Sequence, residues 1–485
     1  MREAAPEQGK AASDFVGREA EIRLLLEAME GARAGRGSLF LIGGEPGIGK
    51  SRLADEFVRH AREEGLRVLW GRCWEGAGAP AYWPWIQALR AHLRSIEPER
   101  ARRQLGSGAP DIAQMLPEIR ALLPDLPPSP PESDSARFQL FDSTATFLRN
   151  VAADRPTLLV LDDLHAGDTP SILLLRFLAS QLADMDLLII GTYRDVALSP
   201  DHALTAALGE MAREPLTRLV VLQGLSEDVA GRFIELAVGS APSARLARGM
   251  WRETSGNPLF LKEATRLLLS EGGLEDAVIA GTLQLAVPAG VREVIARRVG
   301  QLSGRSVEAL SYAAALGPEF SAEVLRRVGD YAQGELSPVL DEASREGLLA
   351  PVPGSPGRLR FSHDLVRESV YQEHSPAQRA ALHRRIAETL EDLHAPAEEA
   401  HLAELAHHFF EAAQATDAEG RVEIAARAQD YATAAGQLAV RSLAYEEAAR
   451  LLQHGPGHAG PAGFGRRGSA NRAAPEHWRC RGTRR

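Results

Sequence analysis

The segment Gly44-Glu45-Pro46-Gly47-Ile48-Gly49-Lys50-Ser51 restricts this chain more than any other, because it has the spacing GxxxxGK[ST] and stands between strand-like and helix-like sequence. Before it, Ser38 to Gly43 is a short apolar run ending in glycine, which reads as a buried parallel strand. After it, Leu53, Ala54, Phe57, Val58 and Ala61 recur at helical spacing to about Glu64. Glycines at 44, 47 and 49 let the backbone turn its N–H groups inward on a phosphate, and the helix that follows adds the positive end of its dipole. The pattern therefore predicts an ATP site. Lys50 is expected to face solvent and reach the β and γ phosphates, and the Ser51 hydroxyl to ligate Mg²⁺. Of 55 basic residues only Lys10, Lys50 and Lys262 are lysines, so a lysine at this point is a departure from the chain's default cation.

A P-loop needs an acid at the end of a neighbouring strand. Thr157-Leu158-Leu159-Val160-Leu161-Asp162-Asp163 supplies two: Asp162 to hold Mg²⁺ through water, and Asp163 to polarise the attacking water. A further strand, Leu187 to Arg194, ends in Thr192 and Arg194, which fall at the same carboxyl edge if that strand lies beside Asp162. There they could read the γ-phosphate. Asp163, Lys50 and Arg194 are the candidate catalytic residues. Ser51 and Asp162 are the candidate metal ligands.

Length and charge limit the alternatives. With 485 residues the chain exceeds one compact domain, and three or so units are expected. No apolar run approaches the roughly 20 residues needed to span a bilayer, and Met1 to Ser13 lacks the apolar centre of a signal peptide, so no membrane role and a cytoplasmic location are expected. Cys73 and Cys480 lie far apart without CxxC spacing, which indicates neither a disulfide framework nor a zinc site. A formal charge of −10 argues against a chain-wide polyanion-binding surface.

The ordered boxes resemble the signal-transduction ATPases with numerous domains, in particular the AAA-like module of large LuxR-type bacterial regulators and cyclase-associated ATPases. Phe15-Val16-Gly17-Arg18-Glu19 looks like that family's entry box near the adenine. Arg72-Cys73-Trp74-Glu75, then Pro80-Ala81-Tyr82-Trp83-Pro84-Trp85, is similar to a segment after the family's second strand. Leu161-Asp162-Asp163-Leu164-His165 matches its Walker B, whereas Ala166-Gly167-Asp168 departs from the usual Trp-Ala-Asp. Thr254 to Leu261 resembles its lid motif, in which Pro258 packs near the adenine and senses closure. The resemblance implies nucleotide contacts from Val16, Gly17, Arg18, Gly44, Gly47, Ile48, Gly49, Lys50, Ser51, Arg52, Thr192 and Pro258. Phe361-Ser362-His363-Asp364 resembles a further box, which makes His363 a candidate contact to the β-phosphate of ADP.

The expected architecture is an α/β P-loop NTPase with an AAA-like parallel sheet, followed by a helical lid, a winged helix and α-helical tetratricopeptide-like repeats. The boundaries are a disordered 1–13, an ATPase core at 14–223 interrupted by a Pro-rich exposed connector at 104–135, a lid at 224–285, a winged helix at 286–373, repeats at 374–453, and a disordered basic tail at 454–485. Leu348 to Ala350 and Arg358 to Phe361 are the hairpin expected of the wing. Between Val287 and Gln372 ten arginines face eleven acids, so the winged helix is a poor DNA binder and a better internal clamp. His401, His407 and His408 read as surface residues. The tail has seven arginines and one acid, and out-of-frame or truncated sequence explains it better than a nucleic-acid arm. The leading function is an ATP/ADP-dependent regulatory switch in bacterial transcription with slow hydrolysis, lacking its output domain, that works on protein partners or on itself through the repeats. An origin-recognition-like ATPase that loads on DNA through the winged helix is the second reading. A P-loop kinase is the third, and it leaves the lid, winged helix and repeats without a role.

Overall fold

Alternate residues of a strand point to opposite faces, and the apolar runs of this chain feed two cores at once. In a computed structural model, β1 (Ser38–Gly43) sends Leu39 and Leu41 to one core and Phe40 and Ile42 to the other. β3 (Thr157–Asp162) and β4 (Leu187–Thr192) divide their residues in the same way. Strands that are apolar on both faces must lie inside, covered by helices, which is the parallel arrangement. With β2 (Arg67–Arg72) and β5 (Thr217–Val221) they form a five-stranded sheet of order β2-β3-β4-β1-β5, every pair parallel. The structure describes residues 15–74, 78–129, 135–195, 202–270, 295, 298–300, 302–352, 355–394, 399–414 and 418–453.

Helices α1 (Glu19–Arg33) and α2 (Lys50–Glu63) cover one face. The other is covered by α3 (Trp83–Arg94), α4 (Pro98–Leu105), α5 (Ala109–Met115), α6 (Ile119–Leu122), α7 (Ala136–Asp154), α8 (Thr169–Ala179) and α9 (Ala203–Met211). This corrects the exposed connector expected at 104–135. Leu105, Ile112, Met115, Leu116 and Ile119 are buried in the core, and the described residues 126–129 lie outside any helix or strand. The proline run concealed an amphipathic stretch just before it.

The lid helices α10 (Glu227–Val238), α11 (Ala244–Thr254) and α12 (Pro258–Ser270) close a small core of their own around Ile234, Leu246, Met250 and Leu261. Residues 271–285 of the expected lid lie outside the described residues, as do the 1–13 and 454–485 segments. Next come α13 (Gly304–Leu316), β6 (Glu319–Ser321), α14 (Ala322–Val328), α15 (Leu336–Arg345), β7 (Leu349–Pro351), β8 (Arg358–Phe361) and α16 (Asp364–Gln372). Their sheet is antiparallel, β6-β8-β7. β6 was not anticipated because only Phe320 among its residues is apolar, too little for a pattern.

The last helices are α17 (Pro376–Leu393), α18 (Leu402–Ala413), α19 (Ala418–Arg441) and α20 (Tyr445–Gln453). They do not stand apart. Ile386, Leu390, Leu405, Phe409 and Ile424 join the core of the preceding unit, whereas Ala435, Ala439, Leu443, Ala448 and Leu451 join that of the ATPase sheet. The Tyr82 hydroxyl donates to Leu443 O at 3.5 Å, and Arg137 pairs with Glu446 at 2.8 Å. The expected surface position of the histidines is corrected for His408, which is 2% exposed. It falls on the stripe Leu405, His408, Phe409, Ala412, spaced as one buried helix face. No described helix is long and apolar enough to cross a membrane.

Candidate functional site

The parallel register sets the site. Arg72 lies opposite Asp162, and Ile42 opposite Thr192, so the ends of four strands and the loop after β1 come together at one carboxyl edge. Gly44, Gly47 and Gly49 have φ of 146°, 82° and 100°, a region that side chains disfavour. A Cβ on Gly47 would stand 2.8 Å from Leu259 Cβ and 2.9 Å from Asn257 Oδ1, so this glycine also admits the lid. Asn257 Nδ2 donates to Pro46 O at 3.0 Å, and Leu259 N donates to Gly47 O at 3.3 Å. Pro258, which opens α12, is thereby placed over the P-loop.

Lys50 is buried, which corrects the expectation that it faces solvent. Its Nζ donates to Gly44 O at 2.8 Å and Glu45 O at 2.9 Å. Burial pulls the ammonium down to about 8; Asp163 opposes this and Arg194 adds to it. The Ser51 hydroxyl donates to Asp162 Oδ1 at 3.0 Å, and Thr192 Oγ1 donates to the same oxygen at 2.5 Å. Thr192 also accepts from Asp163 N at 2.9 Å, so its hydroxyl holds the acidic pair in place here. Burial raises the Asp162 carboxyl, with Asp163 adding to the rise. Hydroxyl and carboxylate oxygens of Ser51 and Asp162 on adjacent elements form the hard oxygen donor set that suits Mg²⁺. The glycine cradle beside them fits a polyphosphate.

The remaining predicted residues frame this centre. Arg18 Nη2 donates to Ile48 O at 3.1 Å and Gln223 O at 2.7 Å, which ties the entry box to the P-loop and to the start of the lid. Gly17 is packed against α10: a Cβ there would meet Val229 Cγ1 at 2.2 Å. Val16 beside it is half-buried. Arg52 lies 5.9 Å from the centre of the Phe15 ring. His363 stands at the start of α16, its carbonyl accepting from Val366 N at 3.0 Å. Asp168, at the departure from the usual box, caps α8 through Ser171 N at 2.9 Å and holds Tyr82 N at 3.1 Å.

One contributor was not anticipated. Arg72 Nε and Nη2 donate to Asp163 Oδ2 at 2.9 and 2.8 Å, and Arg72 Nη1 lies 3.6 Å from Glu319 of β6. The guanidinium therefore occupies the candidate water-polarising carboxylate while facing the unit that follows the lid. Asp163 itself has φ of 61°. A second link is Arg360 of β8, whose charge counters the rise that burial imposes on the Asp55 carboxyl of α2.

Strand order, glycine cradle and acidic pair together decide the class. Residues 14–190 match the AAA ATPase domain. A signal transduction ATPase with numerous domains (STAND) from Pyrococcus horikoshii, carrying a tetratricopeptide repeat sensor, superposes on 90% of this chain and 58% of its own, at 15% identity and a TM-score of 0.52. An uncharacterized protein of Rhizobium meliloti is 23% identical over 394 residues, which is 78% of this chain and 37% of that protein. The chain thus spans little over a third of that relative and somewhat over half of the archaeal structure. The Aeropyrum pernix Orc1 protein in complex with DNA is also similar, at 15% identity over 76% of this chain and 95% of its own, with a TM-score of 0.31. The match to the AAA ATPase domain gives residues 14–190 a nucleotide-binding role, and the archaeal structure shares the fold.

The depressed Lys50 has a measurable consequence. Phosphate binding requires the ammonium, so affinity for ATP is expected to be level below about pH 8. It should fall as pH rises through that value, approaching about tenfold per pH unit while the bound lysine keeps its proton. Fluorescence titration with a nucleotide analogue from about pH 7 to 9.5 reads this directly. Lys50→Arg, whose guanidinium stays charged, should lack the step.

Proposed function

We propose that this chain is an ATP-binding signalling switch: the bound nucleotide sets how the lid, the winged-helix unit and the terminal helices pack on the ATPase core. The supporting observation is Arg72, whose one guanidinium reaches both Asp163 at the nucleotide edge and Glu319 of the winged-helix unit. A change at the phosphates that draws on Asp163 changes the partner available to Arg72, and so the contact with β6.

Ser51 and Asp162 would hold Mg²⁺, which when bound neutralises phosphate charge. Lys50 meets the phosphates, Asp163 orients water, and Arg194 adds charge at the same edge. Asn257 and Pro258 bring the lid down on the loop. Slow hydrolysis follows from Asp163 being held by Arg72, and it resets the switch rather than driving work. By resemblance, the setting is a large LuxR-type transcriptional regulator in the cytoplasm, with protein partners or other copies of the chain engaged through the terminal helices.

Hydrodynamic size and limited proteolysis with ATP, with ADP and without nucleotide test the reading, and identical behaviour in all three states would contradict it. A second test concerns Arg72. Arg72→Gln should raise basal hydrolysis roughly tenfold, equivalent to about 1.4 kcal/mol of lost hydrogen bonding to the carboxylate, with ATP affinity nearly unchanged. A fall in rate would instead make Arg72 a residue that positions Asp163 for the reaction.

A further inference from the structure

Outside the P-loop centre, three histidines converge where the winged-helix unit meets the terminal helices. His383 comes from α17, and His407 and His408 from consecutive positions of α18. His383 Nδ1 and His408 Nδ1 are 2.7 Å apart, and His383 Nε2 is 2.8 Å from the Tyr371 hydroxyl of α16. The His407 ring lies 5.5 Å from that of His383 and 5.2 Å from that of His408, centre to centre. One ring nitrogen from each falls within 4.8 Å of the others. His383 is 3% exposed and His408 2%.

A hydrogen-bonded core pair needs two rings; here a third closes the triangle. Burial holds all three basicities down, His383 to about 3, His407 to about 4 and His408 well below the usual value, and neighbouring rings add to the fall at His383 and His408. The rings are therefore neutral, which is the form that ligates metal. Arg379 and Arg450 add opposing positive charge, while Glu404 favours it at His407.

We propose that His383, His407 and His408 form a binding site for a divalent transition-metal ion, with Zn²⁺ the fitting occupant. Imidazole ligation suits Zn²⁺, and three protein ligands leave a fourth position for water. The two nearest nitrogens share one proton. On metal binding that proton moves to the outward nitrogen of its own ring, so each imidazole stays neutral and turns a lone pair to the ion. His383 Nε2–H then donates to the Tyr371 oxygen, the outer partner that orients a ligating histidine. Ligands on tetrahedral Zn²⁺ at about 2.0–2.1 Å stand roughly 3.3 Å apart, so the close pair opens by about half an ångström. Occupied, the site would pin α17 and α18 to each other beside α16.

The test uses the full untagged chain, stripped with chelator and free of nucleotide, titrated with Co²⁺ and then Zn²⁺. Expected are the visible absorption of tetrahedral Co²⁺ at one ion per chain, its displacement by Zn²⁺, and a rise in Tm with Zn²⁺. His407→Gln, at the least buried ring, should weaken binding by about 10²-fold while ATP binding stays normal, which shows that the variant is folded. His383→Gln with the same normal ATP binding should do likewise. Absent Co²⁺ absorption and an unchanged Tm in the wild type would overturn the proposal. So would wild-type metal affinity in folded His407→Gln and His383→Gln, which would place the ion elsewhere.

Discussion

Lys50→Ala is expected to lower ATP affinity by about 10²-fold or more without unfolding the chain. The magnitude follows from charged hydrogen bonds, each contributing about 1.5–3 kcal/mol, that the ammonium makes to phosphate oxygens. Retention of the fold follows from burial. In the structure Lys50 is 7% exposed, and its charge is carried at a desolvation cost that pulls it down to about 8. Alanine at the first position of α2 removes that buried charge and keeps a strong helix former. Its cost is two carbonyls, Gly44 O and Glu45 O, left with one partner fewer. Calorimetric titration of ATP alongside circular dichroism checks both parts. Undiminished affinity in a folded variant would contradict the P-loop assignment.

Asp163→Asn is expected to slow hydrolysis by about 10²-fold or more, the usual size of a general-base contribution, and to leave Mg·ATP binding nearly intact. Asparagine is the conservative choice because Asp163 has φ of 61°, a left-handed conformation that Asn tolerates, and its amide oxygen can still accept from Arg72. Asp162→Asn should behave differently. Asp162 accepts from both Ser51 and Thr192 and would share Mg²⁺ with Ser51, so its loss should weaken Mg·ATP binding before it affects the rate. Single-turnover hydrolysis and titration with and without Mg²⁺ separate the two carboxylates.

Much of this centre was legible in the sequence because it is local. A glycine spacing, a strand ending in Asp162-Asp163 and a strand ending in Thr192 each lie within a few residues, and one parallel register brings them together. Arg72 was not legible as a site residue. In sequence it only opens the box after β2, and its reach to Asp163 depends on β2 lying beside β3 with Arg72 opposite Asp162. Strand order together with the end position of Arg72 was the available signal. The burial of Lys50 was missed because it depends on a side chain folding back onto its own loop. The histidine cluster was missed for another reason: His383 is 24 residues from His407, and only the packing of α17 on α18 unites them. The Pro-rich run at Leu126 masks the helical spacing of Ile112, Leu116 and Ile119, which the core uses.

The proposed switch requires that ATP and ADP favour different packings of the same chain, with hydrolysis as the reset. A ligand moves such an equilibrium only by its differential affinity for the two states, so a variant that binds ATP and cannot consume it should accumulate in the ATP arrangement. The decisive comparison is Asp163→Asn holding ATP against the wild type holding ADP, each followed by hydrodynamic size and by the rate of limited proteolysis. The two are expected to differ in at least one of these, and the variant given ADP to return to the wild-type ADP behaviour. If the variant with ATP matches the wild type with ADP in both size and proteolysis, the switch is wrong even though the chain binds ATP.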